Sequence, residues 1–331
     1  MEVFGKLANG EPVHRVRIEG GGLTAWVLDY GALLQDLRLE GHAPPLVLGF
    51  SSFAPYPTLS PYFGAIVGRC ANRVRRGHLD LDGVTYQLDC NEGGKHTLHG
   101  GVCGFGSRLW QIENLQENAV TLSLVSNDGD MGFPGRLVAF VTYTLLPGGI
   151  LDVTMRASGD APTLCNLAHH SYFNLDGADS IKDHLLQIDA SHYLPVYEDL
   201  IPTGEQSAVA GTRFDFTTPR AVGGAFPLDH NYCLSEQAQP LRPVAWLHST
   251  RSAVRMECRT TEPGLQVYDG GGIDIALPGL TGSPMGPHAG LALEPQKWPD
   301  ANHNPGFQQA VLRPGETYRQ QSQYVFAKTH G

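Results

Sequence analysis

The chain has no run approaching the ~18 consecutive apolar residues of a membrane-spanning helix. Its beginning, "MEVFGKLANGEPV", also lacks the basic stretch followed by an apolar one that marks a secretory leader. Long blocks of lysine and arginine are missing too. Acidic residues outnumber basic ones by 33 to 23, the formal net charge is -10, and the densest basic run is the short "NRVRRGH". Gripping a phosphate backbone requires clustered positive charge, so nucleic acid is not an expected partner. A soluble, cytoplasmic protein is expected. The six cysteines, at 70, 90, 103, 165, 233 and 258, form no CxxC pair and no short regular spacing. A chain of 331 residues does not need disulfide staples, and these are read as reduced structural thiols. Finally, no segment of about 12 residues keeps an apolar stripe at helical spacing without a glycine or proline breaking it, so helix content should be low.

Turn formers are plentiful. Forty glycines and 23 prolines punctuate short runs of alternating or β-branched residues. "HRVRIEGGGLTAWVLDYG", "NAVTLSLVSNDGD", "HLLQIDASHYLPV", "SAVRMECRTTEPGLQVYDGG" and "ETYRQQSQYVFAK" all read as strands and hairpins. In "VAFVTYTLLPGGILDVTMRA" two such runs flank Pro147-Gly148-Gly149, a hairpin signal because glycine accepts the positive φ that tight turns require. The rhythm continues from about residue 12 to 327 with no linker and no fixed repeat period. The expected fold is all-β, a large antiparallel sandwich with little helix, in one domain spanning residues 1–331.

Several polar residues stand in apolar or glycine-rich settings. "FGAIVGRCANRV" carries Arg69, Asn72 and Arg73, "HTLHGGVCGFG" carries His96 and His99, "PLDHNYCL" embeds Asp229, and "GLALEPQKWPD" ends an apolar run on Glu294, with Gln296 and Trp298 behind it. "NLAHHSYFNLDG" places two adjacent histidines, His169 and His170, before Tyr172. Taken singly, each is most simply a solvated or hydrogen-bonded residue.

Taken together and in order, "VGRCANRV", "LHGG", "HHSYFNLDG", "LDHNYCL" and "LEPQKWPDANHNP" closely resemble the aldose 1-epimerase (galactose mutarotase) family, from about Gly64 onward. The resemblance implies a β-supersandwich that interconverts the α and β anomers of a free aldose without cofactor or metal. It implies Glu294 as general base and His170 as general acid, with Asn72, Arg73, His99, Asp229 and Gln266 holding sugar hydroxyls. A small aldose is then the partner, and the chain acts as a monomer or homodimer. Two departures stand out. His169 replaces an expected asparagine, and "YDGG" (Tyr268 to Gly271) replaces an expected Tyr-Thr-Gly-Asn, which bears on sugar preference more than on the reaction.

The chemistry asks for a similar set. Opening a pyranose ring removes the C1 hydroxyl proton and delivers one to the ring oxygen. A carboxylate with an ordinary pKa near ~4.3 and a histidine near ~6.5 serve as base and donor, the imidazolium being favoured beside carboxylates. Bidentate Asp, Asn and Arg contacts and an aromatic face, Tyr172 or Trp298, would position the sugar.

Three rival readings remain at this point. A metal hydrolase could draw on His96, His99, His169, His170 and a carboxylate, although His96 and His99 are odd-spaced and would face opposite ways on a strand. A glycoside hydrolase could use Asp229 and Glu294 as paired carboxylates. A non-catalytic carbohydrate-binding protein could share the fold. Strand alternation also predicts that only one of His169 and His170 enters the cleft, with His170 and Tyr172 on the same face.

Overall fold

The computed structural model describes residues 1–60 and 62–328. Strand accounts for 45% of it and helix for 6%. The helical content among the described residues is one four-residue turn, Tyr56–Leu59, and five short 3-10 segments. The cause is the spacing of glycine and proline, which leaves no uninterrupted window for a helix.

Two antiparallel sheets dominate. The larger has nine strands in the spatial order Gln111–Leu115, Ala119–Ser126, Leu137–Leu146, Ile150–Gly159, Tyr318–Lys328, Val254–Thr260, Arg242–His248, Leu185–Ile188 and Arg220–Ala221. The Pro147-Gly148-Gly149 hairpin forms as its sequence requires, with φ of 87° and 74° at the two glycines and an unbroken register from Leu137↔Gly159 to Leu146↔Ile150. The smaller sheet has six strands, in the order Tyr172–Phe173, Leu291–Gln296, Gly264–Tyr268, Asp229–Cys233, His192–Tyr193 and Ser207–Ala208. A four-stranded sheet from Glu2–Lys6 to Leu34–Leu39 completes the framework, its first strand beginning earlier than the apolar rhythm indicates.

The two large sheets share one apolar core. Val141, Val153, Tyr324 and Phe326 from the nine-stranded sheet meet Tyr232, Leu265, Val267 and Leu293 from the six-stranded one, all buried. Each fully buried aliphatic side chain contributes roughly 1.5–3 kcal/mol, so the core fixes which face of each strand points inward. A slip of one residue would exchange the faces. Because the odd-numbered Leu265, Val267, Leu291 and Leu293 face the core, their even-numbered neighbours emerge on the other side of the sheet. That alternation carries Glu294 and Gln266 out of the core and into a pocket.

All six cysteines are unpaired; Cys70, Cys165 and Cys258 are buried and Cys103 is exposed. Among the described residues no helix is long and apolar enough to cross a membrane.

Candidate active site

Three neighbouring strands of the six-stranded sheet supply the floor of the site. Asp229 lies opposite Tyr268, and Gln266 lies opposite Glu294, so the register alone brings these side chains onto one face. The first third of the chain adds Asn72 and His99 from loops and Arg73 from the short strand Arg73–Val74, and the segment after Ala168 adds His170 and Tyr172. All eight residues picked out by the sequence line one cavity of about 420 Å³. That volume lies within the ~300–1,000 Å³ range of small-molecule sites.

At its base, His170 Nε2 lies 3.5 Å from Glu294 Oε1, and both side chains are nearly inaccessible. His170 Nδ1 and Glu294 Oε2 are buried and have no hydrogen-bond partner among the described residues. The His170 backbone is tied on both sides: its N–H donates to the Ala65 carbonyl at 2.9 Å and its carbonyl accepts from the Gly64 N–H at 3.0 Å. Around the imidazole stand the rings of Tyr62, His99 and Tyr172, with centroids at 5.6, 5.1 and 5.1 Å.

The remaining groups are held firmly. Arg73 donates through Nε and Nη2 to both oxygens of Glu92, at 2.7–3.1 Å, which aims Nη1 toward Asp229 Oδ2 at 3.7 Å. Gln266 Nε2 donates to Asp229 Oδ1 at 2.5 Å. Asn72 adopts a left-handed conformation (φ 61°), in which its Oδ1 accepts the Arg73 N–H at 2.8 Å. Asparagine tolerates that region better than most residues. The Asn72 N–H donates to His99 Nδ1 at 3.1 Å, which fixes the tautomer and leaves Nε2–H to the cavity.

Electrostatics depart from the sequence expectation. An ordinary glutamate and a carboxylate-stabilised imidazolium were expected. Instead burial lowers His170 to about 4. Burial, reinforced by the Asp229 charge and opposed by Arg73, raises Glu294 well above the usual carboxylate range. Desolvation is the largest cause at both groups, because both side chains are buried. The pair therefore takes a second proton only near pH 4 and keeps one proton into a range where an exposed carboxylate has long lost its own.

The two adjacent histidines separate as alternation requires, but not on a continuous strand. Ala168–His169 pairs with Ile66–Val67 in a separate two-stranded sheet, Tyr172–Phe173 pairs with Leu291–Ala292 in the six-stranded one, and His170 lies in the step between them. His169 turns to the core, where its ring packs edge-on to Tyr143 and Tyr324 and Nε2 meets Ser171 Oγ at 2.9 Å.

Other polar residues singled out by the sequence do not reach the site. Trp298 packs against Phe307 and donates from Nε1 to the Pro263 carbonyl at 3.0 Å, so it offers no face to a sugar. Arg69 is buried and satisfied by Ser126, Asn127, Pro134 and Thr163. His96 accepts the Arg76 N–H and lies 3.2 Å from Asp199, in a different pocket from His99. The two histidines do part, but strand covers only Thr97–Leu98 and His99 sits in a turn at φ 51°, so spacing reaches this outcome by a route the backbone does not follow. Spacing could not show that donor atoms of His99, His170 and Glu294 converge to within 4.8 Å of one another, the arrangement a metal reading would use.

Conversely, Tyr62 and Leu200 line the cavity without a sequence signal, and Tyr268 and Asp269, marked by the sequence only as a departure, line it too. Asp269 occupies the departure at 268–271. Its carboxylate accepts the Leu228 N–H and the Gly271 N–H, both at 2.8 Å, so it joins two loops at the cavity rim.

The pocket has the size of a small-molecule site and sets a buried histidine beside a buried carboxylate on an antiparallel sandwich. Solved structures share this architecture. An aldose epimerase homologue from C. elegans matches with a TM-score of 0.90 at 30% identity, covering 96% of this chain and 100% of that one. Galactose 1-epimerase from Lactobacillus acidophilus matches at 0.85 and 28%, covering 99% and 98%. The chain belongs to the aldose 1-epimerase family, whose pattern it matches over residues 14–325. It is 40% identical to galactose mutarotase from Sus scrofa, over 98% of this chain and 97% of that protein. It is 35% identical to aldose 1-epimerase from Escherichia coli K12, over 96% of each.

Proposed function

We propose that the chain is a mutarotase acting on free aldoses, with Glu294 taking the C1 hydroxyl proton and His170 supplying one to the ring oxygen. The observation that carries this reading is the buried His170–Glu294 pair, 3.5 Å apart, each with an unpartnered polar atom. As the proton leaves the C1 hydroxyl, the C1–O5 bond breaks, C1 becomes a carbonyl and O5 becomes a hydroxyl. Rotation about C1–C2 presents the other carbonyl face, and the reverse transfers close the ring as the opposite anomer. The pair keeps one proton throughout, and the transfer-competent arrangement places it on His170 with Glu294 ionised. Arg73 favours that ionisation. Asp229, Gln266, Asn72, Arg73 and His99 hold hydroxyls, and Tyr172 offers its ring.

Polarimetry on freshly dissolved aldoses tests this directly. The panel includes galactose, for which the mammalian relatives are named. Faster equilibration than in buffer, unchanged by EDTA, is expected for at least one sugar. Loss of activity in EDTA and its return with zinc would replace this reading with a metal one, and release of nitrophenol from aryl glycosides would replace it with a glycosidase.

The kcat/KM profile against pH should carry its acid limb near 4 and its alkaline limb well above the usual carboxylate range, because burial moves the two groups apart in those directions. A decline centred on 6.5 would show that His170 titrates as an ordinary imidazole. Asp229→Asn should raise KM with a smaller effect on kcat, since Asp229 contacts hydroxyls and moves no proton. Removing its negative charge also eases ionisation of Glu294, so the alkaline limb should shift to lower pH. An unchanged KM with a large loss of kcat would contradict the assignment.

A further inference from the structure

Glu294 and His170 stand on separate backbone segments, so their 3.5 Å spacing depends on something that ties the segments together. On one side of the Glu294 strand, Tyr172–Phe173 pairs only with Leu291 and Ala292 and stops short of the catalytic residue. The carbonyls on either side of Glu294 are met from behind, by side chains of the nine-stranded sheet. Tyr324 donates its hydroxyl to the Leu293 carbonyl at 3.1 Å, and Gln320 Nε2 donates to the Pro295 carbonyl at 2.7 Å.

The same strand reaches the His170 segment. The Leu167 N–H donates to the Tyr318 hydroxyl at 3.1 Å, and that hydroxyl donates to Gln320 Oε1 at 2.8 Å. A continuous chain of hydrogen bonds therefore runs from Leu167, three residues before His170, through Tyr318 and Gln320 to Pro295, one residue after Glu294. Tyr318, Gln320 and Tyr324 lie at even spacing on the inward face of Tyr318–Lys328, and all three are buried. Two of them, Gln320 and Tyr318, form the chain, and Tyr324 also packs against the His169 ring with centroids 5.6 Å apart.

We propose that Tyr318, Gln320 and Tyr324 are positioning residues, a polar brace on the nine-stranded sheet that sets the distance between the His170 imidazole and the Glu294 carboxylate. The brace rests on the acid-base reading given above. It touches neither sugar nor transferred proton, so it acts on the rate of proton transfer and leaves sugar binding alone. Small errors in such spacing are costly: about 1 Å of misplacement can lower a rate by about 10².

The test uses Tyr324→Phe and Gln320→Met, which keep volume and remove the donors, singly and together. Tyr232→Phe is the control, because it deletes an equally buried hydroxyl, donated to the Phe214 carbonyl at 3.1 Å, that meets neither the His170 nor the Glu294 segment. Each brace variant should lose about tenfold in kcat and the double variant about 10², with KM within about twofold. The control should lower the melting temperature without changing kcat. Brace variants that behave like the control, or that raise KM at constant kcat, overturn the proposal. Should Gln320→Met fail to fold, Tyr324→Phe decides alone. Glu294→Gln measured alongside separates the two claims. If it keeps its kcat, the base assignment fails and the brace with it. If it collapses while the brace variants stay fast, only the brace fails.

Discussion

Glu294→Gln should lower kcat by roughly 10² to 10⁴, the usual worth of a general base, while sugar binding largely survives. Glutamine preserves the volume and one acceptor oxygen beside His170 but cannot take a proton. The site gives this substitution little structural cost, because the burial that raises Glu294 penalises its charge and a neutral amide avoids that penalty. The expected variant is therefore inactive, well folded and at least as heat-stable as the parent. Stopped-flow polarimetry, calorimetric titration with sugar and a melting curve check the three parts. A kcat near that of the parent would remove Glu294 from the proton transfer.

His170→Asn should produce a loss of the same order, and His169→Asn should stay within about tenfold, or ~1.4 kcal/mol. The difference follows from orientation, since one imidazole faces Glu294 and the other lies between Tyr143 and Tyr324. The cost of His169→Asn should appear in stability instead, as the smaller side chain leaves part of that space unfilled. Its pH dependence has a definite sign. Burial lowers His169 from 6.5 to about 3, so between those limits the unfolded chain binds a proton that the native core refuses. The parent loses stability as pH falls through that window, and the asparagine variant should lose less. Equal and large losses of kcat in both variants, with native circular dichroism, would show that both rings serve the reaction.

Much of this was legible in the residues because the relevant signals are local. Alternation and turn glycines mark the strands, and the Pro147-Gly148-Gly149 hairpin needs no tertiary information. Seven of the eight cavity residues were legible through five ordered motifs, of which "LEPQ" and "HHSYF" bring the acid-base pair, and Gln266 through "GLQVY". Long-range facts were not. Tyr62 reads as an ordinary aromatic residue until folding places its ring in the cavity, and Glu92 in "CNEGGKH" reads as a solvated turn residue until Arg73 reaches it. Trp298 misled for the converse reason, since its motif adjoins Glu294 in sequence while its ring points to Phe307. The protonation of the pair was least accessible, because desolvation depends on the whole envelope of the pocket and sequence neighbours report only nearby charge.

The place of Tyr318–Lys328 between Ile150–Gly159 and Val254–Thr260 has a consequence for biosynthesis. Translation delivers this strand after both of its neighbours, so the growing chain first holds two half-sheets, each with a bare edge facing the gap. Bare edges of this kind invite pairing with other chains. The hairpin meander from Gln111 to Gly159 can assemble early from near neighbours, whereas joining the halves waits on contacts between residues far apart in the chain, which slows folding. Yield in a cell should therefore respond to growth temperature and to chaperones that shield nascent strands, and the pocket, braced by that same strand, takes shape only when the gap is filled.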